Sequence, residues 1–126
     1  MLRPQGFAVL TCPDIQEVAR EIAEGRLAEP IENSPAGPIS PLDMMFGWCS
    51  ALAAGNHFMA HRCGFTRTWL AQLLGNAGFA KTLIRKPQGR FNLWALATVS
   101  NHSDAELRAL ADRYLFRPAN QPQARF

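Results

Sequence analysis

Residues 91–99, FNLWALATV, are apolar on both sides of a strand: Phe91, Leu93, Ala95 and Ala97 alternate onto one face, Trp94 and Leu96 onto the other. A strand apolar on both faces has to be covered on both, so it belongs at the centre of a layered α/β fold. Residues 80–86 also read as a strand but carry Lys81, Arg85 and Lys86, which suits a sheet edge. Pro87-Gln88-Gly89 between them is a turn, so the two are expected to pair as an antiparallel hairpin. A second continuous apolar run, residues 7–12 (FAVLTC), is closed by Pro13 and reads as another strand covered on both faces.

The helices are marked by their caps. Asp14 is placed to cap a helix, with Glu17 at the capping-box spacing. Ile15, Val18, Ala19, Ile22 and Ala23 then recur at helical spacing up to Gly25, with Glu17, Arg20, Glu21 and Glu24 outward. Residues 26–41 hold four prolines and are expected to form a loop without regular structure. Ser40 before Pro41 starts two short helices or one kinked helix, broken at Gly47 and ended at Gly55. Thr66 caps a further helix in which Phe65 and Leu70 sit at the two positions of a hydrophobic staple. Its inward stripe is read as Trp69, Leu70, Leu73, Leu74 and Ala77, with Gly78 as its stop and Trp94 packing beside it. Ser103 and Glu106 form another capping box, before Leu107, Leu110, Ala111, Tyr114 and Leu115. The residues from Arg117 are expected to fray.

With 126 residues, the chain suffices for one domain with a real core. Hydrophobic residues at 48% against 18% charged exclude a disordered chain, and no apolar run is long enough for a membrane helix. All but two of the 13 basic residues are Arg, but they are scattered, so nucleic acid is not an expected partner. Cys12, Cys49 and Cys63 are an odd number without paired spacing and read as reduced thiols of a cytoplasmic protein.

Two segments carry a resemblance. Leu2-Arg3-Pro4-Gln5-Gly6 leads into the strand at Phe7, and His61-Arg62-Cys63-Gly64-Phe65-Thr66 leads through Leu73-Leu74 to Ala77-Gly78-Phe79. In their order and spacing they resemble the second half of class I S-adenosylmethionine-dependent methyltransferases. There an L-(R/K)-P-G-G turn enters the fifth strand, and an H-(K/R)-x-G-F-T…L-L…A-G-F run passes through a helix into the final hairpin. Gln5 departs from the first pattern. The resemblance covers residues 2 to about 99 and implies a truncated Rossmann-like half. That half has about three strands, one parallel strand plus the C-terminal antiparallel hairpin, with four to five helices in a single domain over 1–116 and a tail over 117–126. The family holds its methyl donor on a Gly-rich turn and an acidic residue of the first half. This chain has no G-x-G, so no cofactor-binding residue is assigned, and S-adenosylmethionine is implied by the resemblance alone. The expected function is the substrate-side half of such an enzyme, not catalytic by itself. The other reading is a non-catalytic, dimerising interaction module.

In the resembled fold the strand at residues 7–12 is interior, flanked by a fourth strand and by the final strand. With the fourth strand missing, one edge is bare, so either a homodimer, the favoured reading, or the helix Ser103–Leu115 folding back is expected to cover it, and a second polypeptide supplying the donor-binding half is the other partner considered. Insertions like residues 13–65 shape the substrate pocket in the family, which places His61 and Arg62 toward it, against the plainer reading of a histidine satisfying loop carbonyls and a surface charge. Cys12 at the strand's end and His57 complete the candidate substrate-side residues. Cys12 lacks a recognisable His and acid to activate it, and a small buried thiol is the favoured reading. His57 and His61 share the i, i+4 spacing of a zinc pair, but Cys63 follows too closely and no fourth ligand is near, so no metal is assigned. Phe46, Trp48, Phe58, Met44, Met45 and Met59 either line a pocket or, the favoured reading, fill the core.

Overall fold

The hairpin at the end of the chain organises a three-stranded sheet. The computed structural model describes residues 2–115. The chain runs β1 (Phe7–Pro13), α1 (Ile15–Ala23), β2 (Glu32–Ser34), β3 (Gly37–Ile39), α2 (Pro41–Phe46), α3 (Cys49–Ala53), a 3-10 turn (His57–Met59), α4 (Arg67–Asn76), β4 (Lys81–Arg85), β5 (Asn92–Thr98) and α5 (Asp104–Tyr114). The architecture is thus mixed α/β, with five α-helices, one three-stranded sheet in the order β1-β5-β4 and a separate β2-β3 pair. The proposed tail from Arg117 lies outside the described residues.

β5 is central, as its doubly apolar sequence requires, and Leu93, Ala95, Leu96, Ala97 and Thr98 are all buried. β4 pairs with it antiparallel, Leu83 facing Leu96 and Ile84 facing Ala95. β1 also runs antiparallel to β5: the Val99 N–H donates to the Gly6 carbonyl at one end, and the Asp14 N–H to the Phe91 carbonyl at the other. No pairing within the sheet is parallel, so the strand expected to be its parallel member meets an antiparallel neighbour. β1 and β4 do share a direction, because β5 opposes both.

Packing divides the described residues into two compact units, one of residues 2–11, 71–85 and 94–115, the other of Cys12–Leu70 and Lys86–Leu93. In the first, α5 covers one face of the sheet. Its buried Leu107, Ala111 and Leu115 cluster with Leu96, and Phe7, Leu83, Trp94 and Leu110 pack against them. Each leucine so buried contributes roughly 1.5–3 kcal/mol. Trp94 packs against the α5 cluster: the alternation of β5 puts it on the Leu96 side, over which the helix following β5 folds back. Tyr114 is half exposed, its ring 4.9 Å from that of Phe7. The Ser103–Glu106 capping box opens α5, and exposed pairs Lys81–Asp104 (2.8 Å) and Arg85–Asp112 (3.3 Å) join β4 to it. His102 is half-buried, its Nε2 3.1 Å from Ser100 Oγ.

In the second unit Asp14 is buried at 6% exposure and connects three segments. Its N–H bonds Phe91, its carboxylate accepts from the Gln16 N–H to cap α1, and the next N–H, of Ile15, donates to the Phe65 carbonyl at 3.0 Å. The end of β1 and the start of the α4 segment therefore meet. Glu17 does not complete a box. It instead pairs with Lys86 at 3.0 Å and Arg20 at 2.6 Å. Val18 is fully buried, whereas Ala19 and Ala23 are exposed.

Residues 26–41 were expected to lack regular structure but contain the β2-β3 hairpin. Pro38 stands opposite Asn33 there, in a two-stranded ladder where both strands are edges and a missing N–H is tolerated. Ser40 caps α2 through a box with Asp43. Gly47 separates α2 from α3, confirming two short helices. α1, α3 and α4 end alike: the N–H groups of Arg26, Asn56 and Phe79 reach back to the carbonyls of Glu21, Ala51 and Leu74 around Gly25, Gly55 and Gly78. On α4 the stripe is narrower than its sequence suggests. Leu70 and Leu74 are buried, Leu73 is half-buried, Ala77 is exposed and Trp69 is 49% exposed.

Candidate functional site

The second unit forms an open-sided cavity of about 320 Å³ just past the end of β1. Pro13, the last residue of β1, and Asn92 form part of its wall, and the β2-β3 hairpin contributes Glu32, Ser34, Ala36 and Ile39. Asp43 and Met44 of α2, Trp48, Met59 and His61 complete it. Its size is at the small end for ligand sites, and its walls are mainly apolar with a few polar groups, the usual make-up of such sites.

His61 is held by two carbonyls of α2. Its N–H donates to Phe46 at 3.0 Å, and its Nδ1 lies 2.8 Å from the Met44 oxygen. A carbonyl can only accept, so Nδ1 carries the hydrogen, and in the neutral ring Nε2 is left as an acceptor. His61 thus satisfies carbonyls, as its plainer reading held, but those of α2 and not of a loop, while the residue also lines the cavity.

Asp43 is saturated with donors: Ser40 N–H and Oγ on one oxygen, the Cys49 N–H on the other. Burial pushes its carboxyl up, but the hydrogen bonds from Ser40 and Cys49 outweigh this and hold it at about 2. The Glu32 side chain, 10% exposed, pairs with Arg90 at 2.6 Å. Met44 is buried, whereas Trp48 and Met59 are 38% and 39% exposed and Phe46 and Phe58 lie largely or wholly in solvent. The aromatic and methionine cluster is therefore mostly not core. Short helices of five and six residues offer too little buried face to enclose it.

Of the four candidate residues, the cavity wall includes His61 alone. His61 is itself exposed, as are Arg62 and, in the 3-10 turn, His57, and Cys12 is half-buried in β1 beside the cavity residue Pro13. Burial, then the charge of Asp14 and the neighbouring Cys63, raise the Cys12 thiol, which is the opposite of nucleophile activation. Among the described residues no group of three His, Cys, Asp or Glu is arranged to hold a metal, and no helix is long and apolar enough to cross a membrane. Asp43 and Glu32 are the site residues sequence reasoning missed. For Asp43 a signal existed, since it stands three residues after Ser40 at capping-box spacing.

At the exit of β1 the Asp14 carboxylate is buried and committed to capping α1, so it is not offered to the cavity. Comparison with protein-family models, with curated proteins and with solved structures returned no match.

Proposed function

We propose that the chain is the substrate-side half of a class I S-adenosylmethionine-dependent methyltransferase, with the donor-binding residues supplied by other polypeptide. The observation that carries this reading is the sheet order β1-β5-β4, with β5 antiparallel between two strands of common direction. It is the arrangement implied for the fifth strand and the final hairpin of that family, and among the described residues it leaves without a strand the edge of β1 on which a fourth strand would lie. The cavity beyond β1 supports the same reading, because ligands of open α/β sheets gather outside the carboxyl ends of the strands. In that site His61, Trp48 and Met59 bind the acceptor. Three free cysteines fit a cytoplasmic setting.

The test is to isolate the chain from its native source, weigh it, and titrate S-adenosylmethionine calorimetrically into the native species and into the 126-residue chain alone. The expected result is saturable heat only for a native species with additional polypeptide. A tight donor site in the chain alone would refute the reading as a half. A native species with no additional polypeptide and no donor binding would leave the second reading, a non-catalytic module dimerising through β1, which the exposure of Val9 (43%) and Leu10 (36%) favours.

A further inference from the structure

The polar groups facing the cavity are nearly all hydrogen-bond acceptors. Asp43 and Glu32 present carboxylates, and His61, with Nδ1 committed to the Met44 carbonyl, offers Nε2 as a lone pair in its neutral form. The Ser34 hydroxyl donates to the Gly37 carbonyl 2.9 Å away, which leaves the Asn92 amide as the wall's uncommitted side-chain donor. No Lys or Arg lines the space. The two carboxylates already have their partners: Asp43 holds donors from Ser40 and Cys49, and Glu32 is paired with Arg90. His61 Nε2 has no hydrogen-bond partner among the described residues. Around it stand Trp48, Met44 and Met59, an indole and two polarisable thioethers that favour the faces and edges of aromatic rings.

We propose that this cavity binds a small uncharged aromatic molecule whose hydroxyl or N–H group donates to Nε2 of His61, and that it rejects anions. The volume of about 320 Å³ admits a one- or two-ring body. A carboxylate or phosphate brought here meets the Asp43 carboxylate, which hydrogen bonds but no cation offset, and no Lys or Arg of the wall to receive it, while Glu32 already engages Arg90. The inference rests on the reading of the cavity as the methyl acceptor's site and names the acceptor's class. A site that prefers a hydroxyl to its methyl ether also lets a methylated product go.

The test uses naphthol, its methyl ether and naphthoate as probes, titrated against the full chain by saturation-transfer NMR, in wild type, His61→Phe and Trp48→Ala. Naphthol is expected to bind about three- to tenfold more tightly than the ether, the worth of one hydrogen bond. Naphthoate is expected to give no saturable signal, His61→Phe to bind naphthol and ether alike, and Trp48→Ala to weaken both. Equal binding of naphthol and ether by the wild type, saturable naphthoate, no binding by any probe, or a hydroxyl preference that survives His61→Phe would each overturn the proposal. The wild-type series decides even if a variant fails to fold. No methyl donor is present, so failure here leaves the half-methyltransferase reading standing, and failure of that reading leaves the cavity's selectivity unaffected.

Discussion

Gly47 lies directly beneath Met59: a Cβ on Gly47 would come within 1.9 Å of the Met59 carbonyl oxygen. The strand of chain leading from Met59 to His61 is laid across the end of α2, and His61 then bonds the Phe46 and Met44 carbonyls on that helix. Gly47 also adopts φ +103°, where a side chain is strained by roughly 1–3 kcal/mol. Gly47→Ala is therefore expected to destabilise by about 2 kcal/mol or more in urea denaturation and to displace the His61 wall. Gly75→Ala is the control. It sits within α4, a Cβ there meets nothing within 4 Å, and it should be neutral or stabilise by up to about 1 kcal/mol. Similar midpoints for the two variants would refute the close packing of Met59 over Gly47.

Helix α4 gives a second contrast. Leu74 is 7% exposed and Trp69 49% exposed, although both fall on the apolar stripe of the sequence. Leu74→Ala should lower stability by about 2–5 kcal/mol, and Trp69→Ala by less than about 1 kcal/mol. A larger loss for the tryptophan would place the buried side of α4 elsewhere.

These two residues show where the sequence is legible. Periodicity locates a helix and the general direction of its apolar side, but the width of the buried stripe depends on what packs against it, which no local pattern contains. Alternation likewise put Trp94 opposite Leu93, on the Leu96 side, without showing that α5 packs there. Caps were readable because they are local: Ser40, Thr66 and Ser103 start helices where their side chains indicate. The β2-β3 hairpin was hidden because proline argues against strands in general, yet Pro38 occupies an edge. The cavity was half legible. His61 was marked by its motif, while Glu32 reaches the site only because a hairpin that sequence reasoning did not foresee carries it there.

Asp43 makes a prediction in acid. Burial raises its carboxyl, but the hydrogen bonds from Ser40 and Cys49 bring it from an ordinary 3.8 down to about 2. A group depressed on folding stabilises the native state above its unfolded pKa, and that contribution is lost as pH falls through the folded value. The wild type should therefore lose stability between pH 3.8 and about 2, and Asp43→Asn should lose less over the same interval while starting lower at neutral pH. Removing a cap of this kind costs about 0.5–2 kcal/mol. Urea midpoints at a series of pH values test this. Parallel acid limbs for the two proteins would mean that Asp43 is not the group titrating.

The free edge of β1 makes the last prediction. Among the described residues β5 is the only strand beside β1, so one row of its N–H and C=O groups has no ladder partner. Nothing along residues 7–12 discourages pairing: there is no Lys and no Pro before Pro13, and Val9 and Leu10 are 43% and 36% exposed. The other edge of the sheet differs in kind. There β4 presents Lys81 and Arg85, each paired with an acid of α5, and a charged edge resists addition of a strand. Among the described residues the β1 edge of this sheet is therefore the one open to a partner, and two-fold self-pairing is the commonest way for a chain to cover such an edge. Light scattering at low micromolar concentration should find a dimer for the wild type. Val9→Lys, which sets a charge beside its own copy in the mate, should give a monomer with an unchanged circular dichroism spectrum. Lys81→Ala, at the opposite edge, should leave the dimer intact. A monodisperse wild-type monomer would reject self-pairing, and a dimer that survives Val9→Lys would move the contact away from β1.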